Sequence, residues 1–237
     1  MDTTTPTRRA GLLESAMQKL YTRQAQVLAI DDIGPYRLVT LGGDALRNVT
    51  WSAGDKIQIQ LGGWTQRTYT PLDWDADAGR TRILIYLHAD GPGTQWARAL
   101  RPGDGCVVFG PRKSLRLAQP QPALIFLGDE TSVGLAAALA PRQMLFEMNA
   151  PAASTAVLGT LGLQHAQLHE RHAGDAHLAE LGNSMLALLQ AQPGAEVMLT
   201  GKASTIQQLT RLLRRQSGLS GQRYSKAYWA AGKSGLD

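Results

Sequence analysis

The sequence predicts two joined units, a β-barrel of antiparallel strands followed by an α/β domain built on a parallel sheet. Two observations carry this. In the first half, short runs of alternating apolar residues are punctuated by Gly and Pro, the pattern of a barrel or sandwich. In the second half, continuous apolar runs such as "PALIFLGDE" alternate with helical stretches, the pattern of strands covered on both faces. The prolines of "RLAQPQP" at 116–122 suit a linker, so the expected units are residues 20–118 and 119–237.

The elements follow in order. Residues 25–30 and 36–41 are strands around the turn "DDIGP". In "DKIQIQLGG", Ile57, Ile59 and Leu61 share one face and Lys56, Gln58 and Gln60 the other. The stretch "RTYT" at 67–70 has good β-propensity, and Pro71 is expected to end its ladder by removing a backbone donor. Then come the strand "TRILIYLHA", a short helix in "GTQWARAL" and the strand "GCVVFGP".

Beyond the linker, "PALIFLGDE" is a strand and 132–148 a helix that tolerates Pro141. "STAVLGTLG" reads as the next strand, followed by an irregular, histidine-bearing segment and the helix "NSMLALLQAQ". "AEVMLTG" is a strand and "STIQQLTRLLRRQ" a helix with Ile206, Leu209, Leu212 and Leu213 on one face. "RYSKAYWAAG" is the last strand.

Composition excludes several classes. Of 237 residues, 43% are hydrophobic and 18% charged, which fits a folded globular chain and not a disordered one. No apolar run approaches the roughly 18–20 residues of a membrane span. The first residues lack the apolar core and cleavage site of a secretory signal, so a cytoplasmic location is expected. Cys106 stands alone, which excludes an intrachain disulfide and any cysteine-ligated zinc or iron–sulfur centre. The net charge of +5 has no zinc-finger, helix-turn-helix or RNA-binding aromatic signature beside it, so no nucleic-acid partner is expected. A basic surface also attracts small anions.

Four stretches carry candidate chemistry. Arg67, Thr68, Tyr69 and Thr70 read either as a strand end with an exposed arginine or as a platform for an aromatic, phosphorylated cofactor, with the arginine on phosphate and the tyrosine against the ring. "YLHADGPGTQWA" gathers His88, Asp90, Gly91, Pro92, Gly93, Thr94 and Trp96. Thr94 is expected to cap the following helix, leaving the amides of 93–96 as a nest for pyrophosphate. The bland alternative is a Gly-Pro loop before a capped helix. "FLGDETSVG" sets Asp129, Glu130 and Thr131 at a strand's carboxyl end, where open α/β sheets bind ligands, although capping alone also explains the acids. "LTGKAST" repeats the strand–Gly turn, with Ser204 or Thr205 as an N-cap. His165, His169, His172 and His177 crowd one segment, and the i, i+4 pair 165/169 would share a helix face. Without HExxH these read as surface histidines and no metal is assigned. No GxSxG elbow supports a serine hydrolase.

The order of these motifs, "RTYT", "LHADGPGTQWA", "PGD", "GPRKS", "LGDET" and "YWAAG", resembles the siderophore-interacting protein family, FAD-dependent ferric-siderophore reductases related to ferredoxin–NADP reductases. The resemblance implies an FAD-binding antiparallel barrel followed by an NAD(P)H-binding-like domain. It implies that Arg67, Thr68, Tyr69 and Thr70 hold the flavin and its phosphates, with His88 near them. Gly91, Pro92, Gly93, Thr94 and Trp96 match the phosphate loop, threonine standing where serine is usual, and Asp90 directly before them is a further cofactor-binding candidate. Asp129, Glu130 and Thr131 match the turn bordering nicotinamide and flavin, and Tyr228, Trp229 and Gly232 match the family's last strand. Pro71-Leu72 and Ala230 depart from an arginine common at each place.

The implied activity is transfer of electrons from NADH or NADPH through FAD to a ferric siderophore, releasing Fe(II). Lys202, Arg223, Lys226 and Lys233 are candidates for holding the anionic chelate, with a solvated surface as the alternative. The rival readings are a flavin reductase serving another acceptor or partner protein, and a non-catalytic ferric-chelate binding module. Oligomeric state is not legible.

Overall fold

The computed structural model describes residues 22–63, 65–88, 90–115 and 123–232. The expected linker at 116–122 and Lys233 lie outside the described residues.

Strands β1 (Thr22–Ile33) and β2 (Tyr36–Gly42) form the expected hairpin, with Ile33 paired to Tyr36 across a turn in which Gly34 takes φ +57°. They are followed by β3 (Lys56–Gly62), β4 (Thr65–Tyr69), β5 (Pro71–Asp75), β6 (Arg80–Tyr86), helix α1 (Pro92–Ala99) and β7 (Gly105–Arg112). The seven strands make one antiparallel sheet in the order β4-β3-β7-β1-β2-β6-β5. Its two outermost strands are joined through Thr70 alone, so the sheet has to curl until its edges meet. No ladder joins β4 to β5, and the barrel is not closed. Val27, Val39, Leu41, Ile57, Ile59, Ile83 and Val108 fill it, and Ala97 and Trp96 of α1 pack against them.

Pro71 corrects an expectation. It does not end the strand run but opens a new strand, pairing with Ile83 at the first position of β5, where a missing N–H costs a ladder least.

The second unit runs β8 (Leu124–Asp129), a 3₁₀ turn (Glu130–Ser132), α2 (Val133–Leu139), β9 (Gln143–Met148), α3 (Pro151–Thr160), β10 (Gln167–Glu170), α4 (Leu178–Ala191), β11 (Glu196–Lys202), α5 (Ala203–Arg214) and β12 (Arg223–Trp229). All its strand pairs are parallel, in the order β10-β9-β8-β11-β12. Phe126 and Phe146 face α2 and α3 on one side; Ile125, Leu127 and Leu145 face α4 and α5 on the other.

Three expectations fail here. The helix over 132–148 stops at Leu139, where Ala140 takes a left-handed conformation and Pro141 follows; the rest is the buried strand β9. "STAVLGTLG" is mostly helix α3, because Pro151 sits in its first turn and Ser154, Val157 and Leu158 form one buried face at i, i+3, i+4. The segment read as irregular contains β10, so His165 and His169 share no helix face.

The two units pack directly. Tyr36 of β2 is buried in the second unit's core, its hydroxyl 2.9 Å from Ser154 Oγ. Helix α2 lies on β5 and β6, with Gly134 close enough that a Cβ there would touch the Thr70 carbonyl, Leu72 and Leu84 at 3.6–3.7 Å. This packing brings the carboxyl ends of the parallel strands against the β4–β5 junction. Among the described residues, no helix is long and apolar enough to cross a membrane.

Candidate functional site

Strand alternation puts Arg67 and Tyr69 on one face of β4 and Thr68 and Thr70 on the other. The first face meets the start of α1. A Cβ at Gly93 would lie 3.5 Å from both Arg67 Cγ and the Tyr69 hydroxyl, and the Tyr69 and Trp96 rings stack at 6.3 Å. Arg67 Nη1 donates to the Gln66 carbonyl at 2.8 Å, and Arg67 forms no ion pair among the described residues.

The start of α1 differs from expectation. Gly91 is the N-cap, Pro92 follows it, and Gln95 N already donates to the Gly91 carbonyl at 3.0 Å. Only the Gly93 and Thr94 amides therefore lack an intrahelical acceptor, not the four of the expected nest. Thr94 is not the cap: its buried hydroxyl donates to the His88 carbonyl at 2.9 Å and pins the loop. Asp90 turns to Arg98, its carboxylate accepting at 3.0 Å, and lies exposed. Gly91 has an ordinary φ of −72° and open space where a Cβ would stand.

A guanidinium without an ion pair among the described residues, on a side chain that lies against the start of α1, suits an anion together with the two open amides there, and the Tyr69–Trp96 pair offers aromatic surface. Thr68 Oγ1 is buried with no hydrogen-bond partner, a polar atom the protein alone leaves unsatisfied. The open cradle at Gly91 is space a side chain would fill. These residues fit a phosphorylated, aromatic cofactor such as FAD.

On the other face, the Thr70 side chain is hydrogen-bonded to Tyr228, whose phenol burial pushes up to about 12. The His88 ring is exposed and stacks on Tyr86, centroids 5.2 Å apart.

The carboxyl edge of the parallel sheet holds a buried ionic network that the sequence did not announce. Asp129 Oδ1 accepts from Thr131 N at 2.9 Å, and its Oδ2 accepts from the Trp229 indole at 2.6 Å. Burial raises the Asp129 carboxyl to about 6, against the lowering effect of hydrogen bonds from the Thr131 hydroxyl and the Trp229 indole. Glu130 accepts from Arg171 Nη2 at 2.9 Å and from Asn149 N at 2.6 Å. Glu147 lies 2.8 Å from His177 Nε2, and His177 Nδ1 accepts from His172 N. Asp129, Glu130, Glu147 and His177 are all buried. Asp129 and Glu130, expected at a cofactor, thus spend their oxygens on the protein itself. His177 and His169 are not surface histidines, whereas His165 and His172 are. No cluster of three or more His, Cys, Asp or Glu able to hold a metal occurs among the described residues.

Arg171, Glu147 and Asn149 were missed because their roles come from pairing across the sheet. The one local signal was an arginine directly after the edge strand β10. Helix α5 starts at Ala203 with Lys202 at its N-cap and no side-chain cap, so neither Ser204 nor Thr205 plays that part.

The three expected basic residues that are described, Lys202, Arg223 and Lys226, do not gather. Lys202 pairs with Asp175 at 2.5 Å. Lys226 donates to Ser114 and lies over the Tyr228 ring, 5.7 Å from its centroid. Arg223 opens β12 at the amino edge, about 20 Å along the strand from Trp229.

Comparison with known proteins agrees with this geometry. The family model for the siderophore-interacting FAD-binding domain matches residues 63–115, the stretch from before β4 to the end of β7. No curated protein sequence matches the chain. Among solved structures, a siderophore utilization protein from T. fusca is 24% identical, with TM-score 0.68 over 91% of this chain and 95% of that one. The siderophore-interacting protein SipS from Aeromonas hydrophila is 22% identical, with TM-score 0.70 over 90% and 93%. Phthalate dioxygenase reductase is 14% identical, with TM-score 0.73 over 91% of this chain and 71% of that one. In the motif-bearing stretch 63–115 and in its two-unit fold, the chain is similar to the siderophore-interacting proteins, within a fold shared with flavoprotein reductases.

Proposed function

We propose that this protein is a flavin-dependent reductase that holds FAD between β4, the start of α1 and the carboxyl edge of the parallel sheet, and that it passes electrons from NADH or NADPH to a ferric siderophore. The observation that carries the reading is Arg67. Its side-chain stem lies against Gly93 at the start of α1, and its guanidinium has no carboxylate partner among the described residues, inside the stretch that matches the FAD-binding family model.

Arg67 and the Gly93 and Thr94 amides hold the phosphates, and Tyr69, backed by Trp96, offers its face to the ring system. Thr70, fixed by Tyr228, sits where the two units meet. When bound, FAD supplies the conversion between a two-electron donor and one-electron acceptors. The chain itself contributes placement, charge and exclusion of water. Two ferric ions are reduced per dinucleotide oxidised, and Fe(II) is held less tightly than Fe(III) by hard oxygen ligands, so reduction frees the metal.

A second reading, a flavin reductase of the same fold serving another acceptor, is favoured by the scattering of Lys202, Lys226 and Arg223. An anaerobic absorbance titration separates the two. Bound-flavin bands bleached by NADH or NADPH and restored by a ferric siderophore support the first reading. Bleaching without restoration by any ferric chelate moves the assignment to the second. Absence of bound flavin after reconstitution overturns both.

A further inference from the structure

Arg171 directly follows β10, and its side chain is only 9% exposed. Its amide donates to the Met148 carbonyl at 2.7 Å, which anchors its backbone to β9. Nη2 donates to Glu130 Oε2 at 2.9 Å and to the Glu147 carbonyl at 3.0 Å; Nη1 donates to Asn149 Oδ1 at 2.7 Å. The guanidinium carbon stands 5.5 Å from the centroid of the Trp229 ring. One planar cation therefore touches groups at the carboxyl ends of β8, β9 and β12.

Two aromatic groups hang from this hub. The Trp229 indole is fixed at its N–H by Asp129 and covered on its face by Arg171. Asn149, held by Arg171 through its side-chain oxygen, is hydrogen-bonded through its side chain to Tyr86 of the first unit, on which His88 stacks. Trp229 and the Tyr86–His88 pair are thus both tied back to the same guanidinium.

We propose that Arg171 is the positioning residue of the interdomain site, fixing Trp229 from one unit and, through Asn149, the Tyr86–His88 stack from the other. The role toward a flavin rests on the function proposed above, whereas the hold on Trp229 does not. Arginine suits the task because its fork presents several donors in one plane while its face stacks on the indole. Lysine keeps the charge but, as a compact ammonium, has neither the planar fork that spans Glu130, the Glu147 carbonyl and Asn149 nor a flat face for the indole.

The test uses Arg171→Lys and Arg171→Gln in the full chain. In flavin-free protein, the Trp229 signal is read as the difference in emission between each protein and the same protein carrying Trp229→Phe, followed across pH. The groups facing the indole's acceptor Asp129 are Glu130, Thr131, Arg171, Tyr36, Tyr86 and Tyr228, with Glu147 and His177 behind Arg171. Loss of the guanidinium removes the nearest cation, so the titration midpoint of the Trp229 signal is expected to rise by about one pH unit in Arg171→Gln. In Arg171→Lys the emission maximum is expected to shift even where the midpoint is kept.

In flavin-loaded protein, Arg171→Lys is expected to lower kcat about tenfold while KM and flavin affinity stay within about threefold. An unchanged Trp229 emission and midpoint in Arg171→Lys overturns the proposal, as does a kcat equal to the wild type's. If Arg171→Gln does not fold, the lysine variant alone decides. If the wild-type chain binds no flavin, the proposed function fails, and the Trp229 titration still decides the role of Arg171.

Discussion

Gly201 of β11 and Asp129 of β8 lie so close that a Cβ at position 201 would overlap the Asp129 carboxylate. Gly201 also takes φ +98°, a conformation that side chains rarely adopt. The buried acid can lie across the sheet edge, within reach of Trp229, only because its neighbour has no side chain.

Gly201→Ala is therefore expected to destabilise the fold by about 2–4 kcal/mol, strain and overlap acting together. Urea unfolding measures it. Gly91→Ala is the contrast, since its φ is ordinary and its Cβ would stand in open space. Stability there should change by no more than about 0.5 kcal/mol. If the open space is the cofactor's cradle, FAD affinity should nonetheless fall.

The Asp129 carboxyl has a pH consequence with a definite sign. Its folded value, about 6, lies above its ordinary 3.8, because burial disfavours the charged form. The folded chain thus binds this proton more tightly than the unfolded chain. The stability it contributes is full below about pH 4 and lost as pH rises through about 6. About two units correspond to about 3 kcal/mol. In Asp129→Asn this dependence disappears, so wild-type stability minus variant stability should fall by about that amount from pH 4 to 7 and then level off. Urea midpoints at a series of pH values read it. A difference independent of pH would show that Asp129 keeps an ordinary carboxyl.

Arg67→Ala should weaken FAD binding about 10–100-fold, the loss expected for a charged hydrogen-bond donor to phosphate. Fluorescence titration of the flavin measures this, with melting temperature as a control for folding. Because Arg67 has no ion-pair partner among the described residues, the apoprotein should be little affected. An affinity unchanged by the substitution would remove Arg67 from the phosphate site.

The Tyr36–Ser154 contact joins the two units, and its substitutions should be unequal. Ser154→Ala leaves a buried tyrosine hydroxyl without its partner and is expected to cost about 1–3 kcal/mol. Tyr36→Phe removes that hydroxyl and leaves the smaller serine group unsatisfied. The double variant should therefore be less destabilised than the sum of the two. Strict additivity in urea unfolding would mean that the hydrogen bond does not couple the units.

Much of the first unit was legible in the sequence. Ile57 and Ile59 alternate with polar residues because one face of β3 meets the core, and that pattern survives without knowledge of the partners. The second unit was harder to read. β9 is buried on both faces because it lies inside the sheet, so "QMLFEM" carries no strand alternation and was absorbed into a helix. α3 carries Thr155, Val157 and Thr160, residues of good β-propensity, and only burial of Ser154, Val157 and Leu158 against the sheet makes it helical.

The site divides in the same way. Arg67 to Thr70 and Gly91 to Trp96 were readable because local chemistry marks them: an arginine on a strand, and a Gly-Pro turn into a helix. Asp129 and Glu130 were readable as residues but not in their role, since the pairing of Glu130 with Arg171 spans 41 positions and that of Asp129 with Trp229 spans 100. The sequence by itself determined the two units, their order and the motifs along them, because periodicity and turn chemistry act between near neighbours. Only the tertiary structure decided that the acids of the sheet edge are buried and paired while Arg67 stays open, because burial of charge depends on which distant strands the fold brings together.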